Sequence, residues 1–206
     1  MTRWIFGAAW GDSLVQHNQG GVFLSEGSEA TLWTNATFLD NGPYGVYIEK
    51  GSHASLWQAR VQGHEGVGVD VVMNSQVSLQ VGTRVLGNGT PGQAKSAGIR
   101  LDGDSNGYID GASEVTGNGG PGVVVDLGSS LDVRDAQVTG NAREGIRLRH
   151  QSVLHLAQDS VFSSNPGGPV TCDRTSLAIS AALHRSHRCH NVERPSQPRP
   201  TRPPSP

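Results

Sequence analysis

Charge and aromatic rings are both scarce in this chain. Of its 206 residues, 17% are charged and 5% aromatic, whereas roughly a quarter of an ordinary globular chain is charged. Disordered segments and coiled coils need many charges and few glycines, so 28 glycines and 35% hydrophobic content argue against both. With only four Trp, three Tyr and four Phe, a core has to be filled by Val, Leu, Ile and Ala. No apolar run approaches the ~18 residues needed to span a bilayer, which excludes a helical membrane span. The apolar start, Trp4 to Trp10, stops at Gly11-Asp12 after seven residues. That is the bottom of the signal-peptide range, and it reads as mature chain, the stump of a longer parent.

Basic charge is lacking in the body. Residues 1–170 hold 10 Lys+Arg against 16 Asp+Glu, leaving −6, and residues 171–206 hold six Arg against two acids, leaving +4. An acidic body is a poor partner for nucleic acid, and the Pro/Arg/Ser-rich stretch 191–206 has no core former and reads as a disordered tail. Cysteine is limited to Cys172 and Cys189. A bridge between them would close a short loop, contribute ~3 kcal/mol in the chain-entropy model and imply an oxidising compartment. Two buried thiols are the alternative. His184, His187, Cys189 and His190 crowd the same region, but zinc-ligand spacing is missing.

What the chain does contain is a repeat. A glycine opens a short apolar alternation at Gly21-Val22-Phe23-Leu24, Gly45-Val46-Tyr47-Ile48, Gly66-Val67-Gly68-Val69, Gly98-Ile99-Arg100-Leu101, Gly122-Val123-Val124-Val125 and Gly145-Ile146-Arg147-Leu148, with Gly168-Pro169-Val170 a degenerate last copy. The intervals are 24, 21, 32, 24, 23 and 23. Each copy closes on a second pattern, as in Val85-Leu86-Gly87-Asn88 and Val115-Thr116-Gly117-Asn118. A middle strand lies between, with pairs such as Val77/Leu79 and Leu131/Val133. Each period therefore holds three short strands alternating with period two. Such strands bury their inner faces only if each period makes one turn of a coil and the coils stack.

The G-[VI]-x-[VLI] openings and V-x-G-N closings resemble those of the right-handed parallel β-helix repeat proteins, the pectate-lyase-like superfamily. The resemblance implies an all-β fold: a single-stranded right-handed parallel β-helix, a solenoid of about six to seven coils with three short strands per coil. Residues 1–14 are expected as a partial N-terminal coil or cap, 15–170 as the β-helix and 171–190 as a C-terminal cap. Asn41, Asn88, Asn118, Asn141 and Asn165 fall at one turn of successive coils and read as a stacked amide ladder. His64 occupies the same column. Its Gly63-His64-Glu65-Gly66 setting is similar to a segment of polygalacturonases, but the accompanying motifs of that family are absent, so His64 reads as a ladder substitute.

Chemistry is sought on the outer face of the opening strands. One outward column reads Phe23, Tyr47, Gly68, Arg100, Val124, Arg147 and the next Ser25, Glu49, Asp70, Asp102, Asp126, Arg149. Carboxylates on consecutive coils would stand ~4.8 Å apart and repel by ~1 kcal/mol even in water. Neighbouring arginines, a bound cation or plain exposure would offset this. In lyases of the superfamily this face binds acidic polysaccharide, with Ca²⁺ on an Asp cluster and Arg or Lys as the base. The resemblance thus implies Glu49, Asp70, Asp102 and Asp126 as metal ligands, calcium as the one candidate cofactor, and Arg100, Lys95 and Asp102 as catalytic groups. A carboxylate acid/base pair of the glycosidase type is a second catalytic scheme. Phe23, Tyr47, Arg147 and Arg149 are candidate substrate contacts. Trp33 and Trp57 form a second aromatic pair after the middle strand. The reading that best fits the missing hydrolase motifs is a non-catalytic extracellular or cell-surface module whose partner is polysaccharide or cell-surface glycan. A lyase or epimerase is the alternative, and a tailspike or adhesin segment a third.

Overall fold

The computed structural model describes residues 7–9, 12–93, 96–157, 159–180 and 185–188. Lys95, Cys189 and the tail 191–206 lie outside the described residues, as does most of the His184–His190 cluster. Among the described residues there are strands and turns but no helix, and the strands form three sheets running the length of a parallel β-solenoid of about seven coils. The opening sheet stacks Val22–Leu24, Tyr44–Ile48, Val67–Val71, Ala97–Leu101, Val123–Val125, Ile146–Leu148 and Val170–Cys172. The middle sheet runs from Gly7–Ala9 to Leu177–Ser180, and the closing sheet from Leu14–Gln16 to Ala136–Thr139. Every strand pairs in parallel with its counterpart one coil away, except Arg185–Arg188, which lies antiparallel on Leu177–Ser180.

Period-two alternation sends every second side chain inward. The opening strands contribute Val46/Ile48, Val69/Val71, Ile99/Leu101 and Ile146/Leu148, the middle strands Ala54/Leu56 and Val77/Leu79, the closing strands Phe38, Val61, Val85, Val115 and Val138. Phe38 is the one aromatic ring among these buried residues. A core three strands around has little room for rings, which accounts for their scarcity.

The corners are as repetitive as the strands. After the opening strand the chain turns through two consecutive left-handed residues: Glu26-Gly27, Lys50-Gly51, Met73-Asn74, Gly103-Asp104, Leu127-Gly128 and His150-Gln151. Side chains strain this conformation, so the coil-to-coil hydrogen bonds must hold it. One set of those bonds comes from a serine column. The backbone N–H groups of Ser28, Ser52, Ser75 and Ser105 donate to the hydroxyls of Ser52, Ser75, Ser105 and Ser129 at 3.1–3.3 Å, and Ser152 repeats the bond to Ser176. These polar groups are buried in a corner, where an unmade hydrogen bond would be expensive.

The register corrects the sequence-based alignment of the third coil. Val69 pairs with both Val46 and Ile99, and Asp70 with Tyr47 and Arg100. The glycine equivalent to Gly45 and Gly98 is therefore Gly68, not Gly66. In Gly66-Val67-Gly68-Val69 either glycine starts the same alternation, and a two-residue slip keeps every apolar side chain facing inward. Hydrophobic pattern alone could not choose. At the far end Val170 pairs with Ile146, so Pro169 rather than Gly168 takes the opening position. The extra residues of the long coil sit in the loop after Gly89, which is tied to earlier coils by Gly89 N–H to the His64 carbonyl and Thr90 N–H to that of Glu65.

Candidate functional site

The corrected register redraws the outer face of the opening sheet. The first column is Phe23, Tyr47, Asp70, Arg100, Val124, Arg147 and Thr171. Coil-to-coil backbone bonds place Glu49, Val72, Asp102, Asp126, Arg149 and Asp173 in the second. The expected run of four carboxylates is thus broken: Val72 separates Glu49 from Asp102, and Asp70 belongs to the other column, between Tyr47 and Arg100.

That placement gives Asp70 its partner. Arg100 Nε donates to Asp70 Oδ1 and Nη2 to Oδ2, both at 2.7 Å, a bidentate fork on a carboxylate whose side chain is 8% exposed. Burial works against the Arg100 charge, but the Asp70 hydrogen bonds and charge, with Asp102 adding to them, hold its pKa above the ordinary value. Asp126 is engaged twice, by Arg149 Nη2 and by His150 Nδ1, and also accepts from the backbone N–H of Leu127. Glu49 accepts from Ser25 and lies 3.6 Å from Lys50. Arg147 pairs with Glu144. Asp102 is half-buried and its carboxylate has no hydrogen-bond or ion-pair partner among the described residues. Together Arg100, Asp102, Asp126, Arg147 and Arg149 line a shallow recess of about 190 Å³ below the loop that precedes Ala97.

This arrangement does not fit calcium. The ion takes six to eight converging oxygens, yet Asp70 and Asp126 are spent on arginines. No group of three or more His, Cys, Asp or Glu side chains among the described residues gathers for a metal. The proposed base fares no better, since a guanidinium locked in two hydrogen bonds with a raised pKa is a poor proton acceptor. Of the catalytic candidates, Lys95 lies outside the described residues, while Arg100 and Asp102 share the recess.

North of the recess the face is aromatic. Phe23 and Tyr47 stack with centroids 5.4 Å apart and planes 6° from parallel, and Tyr44 lies 5.0 Å from Tyr47. Phe23 is half exposed. Burial first, then the charges of Asp70 and Glu49, raise the Tyr47 phenol above its ordinary pKa. Trp33 and Trp57 form a separate pair, 5.0 Å apart, at the end of the middle strands.

The inner turn column is structural. Asn88 Nδ2 donates to Asn118 Oδ1, Asn118 to Asn141 and Asn141 to Asn165 at 2.8–3.1 Å, and Asn18 makes the same bond to Asn41. A second amide hydrogen satisfies a strand carbonyl, as in Asn88 Nδ2 to Val61. The opening glycines make room for these amides: a Cβ on Gly68, Gly98 or Gly122 would stand 2.7 Å from the Nδ2 of Asn88, Asn118 or Asn141. His64 stands in the column with Nδ1 accepting from Asn41 N–H at 3.1 Å. Its Nε2 is buried with no hydrogen-bond partner among the described residues. Burial lowers the imidazole pKa, and the backbone of Asn41 and Phe38 pulls the other way without prevailing.

Cys172 is half-buried at the end of the last opening strand, level with Leu148. Four contributors to the architecture or its outer face were missed by sequence reasoning: the serine column, and Glu144, His150 and Asp173 as ion-pair or turn partners. The serines recur at the repeat interval and could have been found. The other three are defined by their partners across coils.

The profile of the right-handed β-helix region family matches residues 11–181. No curated protein and no solved structure matches the chain. Coil count, parallel register and profile agree, and the chain belongs to the right-handed β-helix region family.

Proposed function

We propose that this protein is a non-catalytic β-helix module that binds polysaccharide or cell-surface glycan on the outer face of its opening sheet, in an extracellular or cell-surface setting. The observation that carries the reading is the recess lined by Arg100, Asp102, Asp126, Arg147 and Arg149. Its arginines are already held by carboxylates, so little side-chain freedom is lost on binding. Planar guanidinium and carboxylate edges are suited to the adjacent hydroxyls of a sugar ring. The unpartnered Asp102 carboxylate supplies a free acceptor, and the exposed Phe23 ring offers apolar surface along the same face. The bidentate Asp70–Arg100 pair speaks against proton abstraction and hence against a lyase.

A panel of neutral and uronate polysaccharides, with and without Ca²⁺, tests this. Binding without turnover, weakened by Asp102→Asn and by Arg149→Ala, is expected. New unsaturated-ester absorbance that disappears in Arg100→Ala would replace the reading with a lyase. Binding of no polymer would leave the face without a glycan role.

A further inference from the structure

A second groove lies on a different part of the solenoid, at the corner between the middle and closing sheets. We infer that it is an oxyanion site, built to hold a carboxylate or sulfate ester carried by an acidic glycan. It is an open groove of about 470 Å³ whose polar lining is Thr34, Asn35, Thr37, Gln58, Arg60 and Arg84. Among the described residues no carboxylate lines it, although residues 1–170 as a whole carry −6.

Two arginines in register make the site. Arg60 and Arg84 pair directly across neighbouring closing strands, so their backbones stand ~4.8 Å apart. Arg84 is paired with Glu114, on the coil beyond, with Nε 3.4 Å from Oε2 and Nη2 donating to Oε1 at 3.5 Å. Arg60 is flanked in its column by Thr37 and Arg84. Its Nε donates to Gln62 at 2.6 Å, and its guanidinium has no acidic partner among the described residues. The Nη hydrogens remain for a ligand. Gln58 uses its oxygen to accept from Thr34 at 3.2 Å, which leaves the amide NH₂ to donate.

Gly82, which also lines the groove, borders open space, where a Cβ would meet nothing within 4 Å. Asp12 is engaged by the Asn35 amide at 3.2 Å. Like charges one coil apart repel by ~1 kcal/mol in water. An oxyanion between them removes that repulsion and takes guanidinium forks in the geometry they favour.

The inference stands on residues separate from those of the opening-sheet recess, and the two fail independently. Affinity of the full chain is measured at about 0.15 M salt for a uronate polymer, a sulfated neutral polymer and the same neutral polymer unsulfated. Tighter binding of either anionic polymer than of the unsulfated one is expected, and whichever gains identifies the source of the oxyanion. Arg60→Gln with Arg84→Gln should weaken it about tenfold, the size expected for two exposed charge contacts. Arg60→Lys with Arg84→Lys should fall between, and thermal melts confirm that each variant folds. Equal affinity in the double Gln variant, loss confined to Arg149→Ala in the other recess, or binding of neither anionic polymer would overturn the inference.

Discussion

Replacing His64 by asparagine should stabilise the protein. At Asn88, Asn118 and Asn141 the turn asparagine makes two amide donations, one to the next coil and one back to a strand carbonyl. His64 Nδ1 accepts from the Asn41 N–H, and the buried Nε2 feels the pull of the Phe38 backbone but makes no well-formed hydrogen bond among the described residues. His64→Asn removes an unmet donor, a defect of about 1–3 kcal/mol, and adds hydrogen bonds worth about 1 kcal/mol each. Against this stands the lost packing of the ring on Gly45, where a Cβ would lie 2.4 Å from Nε2. The smaller amide fits the same space beneath Gly68, Gly98 and Gly122, so the cavity term is small. The net expectation is a gain of about 1–2 kcal/mol at pH 7, or roughly 2–8 °C in Tm for a chain of this size.

The sign with pH follows from the lowered pKa of the folded state. The neutral imidazole's contribution is complete above its unfolded value near 6.5 and is lost as pH falls below it, because the unfolded chain takes up the proton first. The advantage of the variant should therefore widen from pH 7 to pH 5 in parallel thermal melts. A variant less stable than the parent, or a gap that does not widen, would show that His64 is a well-satisfied core residue and the reasoning is wrong.

Other perturbations probe the remaining columns. Gly98→Ala sets a Cβ 2.7 Å from both Asn118 Nδ2 and the Gly122 carbonyl oxygen and should destabilise by about 1–3 kcal/mol in urea unfolding; an unchanged midpoint would remove the steric account of the glycine column. Asp70→Asn leaves Arg100 without its carboxylate and should cost about 2–3 kcal/mol by the same measurement. Arg100→Lys, which keeps the charge but not the fork, should lose part of that. Asp173 accepts from the backbone of His150, Thr175 and Ser176. Burial pushes its carboxyl up, but these bonds outweigh it and set the pKa to about 2. Its contribution is complete above pH ~3.9 and fades as pH falls toward 2, so Asp173→Asn should be less stable at pH 6 and show a flatter acid limb in circular dichroism melts. An acid limb of unchanged slope would count against this.

Fold and core were legible because both depend on patterns with a fixed period. Gly98-Ile99-Arg100-Leu101 and Val115-Thr116-Gly117-Asn118 state, within one coil, which side chains face inward and where the turn falls. The outer face was less legible for a physical reason. A strand's period of two cannot reveal a slip of two residues, so Asp70 was assigned to the column of Asp102 when its neighbours are Tyr47 and Arg100. One slip changed its chemistry from a member of an acidic cluster to half of an ion pair. Glu144, His150 and Asp173 were illegible in another way, since their roles exist only through partners on their own or neighbouring turns, and spacing along the chain does not encode which partner is met.

The same geometry explains how a repeat can carry specific sites. Stacking fixes the spacing of every column at one strand interval, so substitution at one outward position changes only what stands directly above, below and diagonally. The inward columns have little freedom: glycine must clear the ladder amide, serine must meet the next N–H, and aliphatics must fill a narrow interior. Outward positions are released from those demands, and there the two columns diverge. On the opening sheet each arginine of the recess is met by a carboxylate, Asp70 for Arg100, Glu144 for Arg147 and Asp126 for Arg149. On the closing sheet Arg60 and Arg84 stand side by side, and the acid that meets them, Glu114, lies beyond Arg84 and away from Arg60. A surface that neutralises its arginines in one place and leaves them adjacent in another has two different electrostatic requirements. The first suits a ligand recognised by hydroxyl groups and the second a ligand that brings its own negative charge.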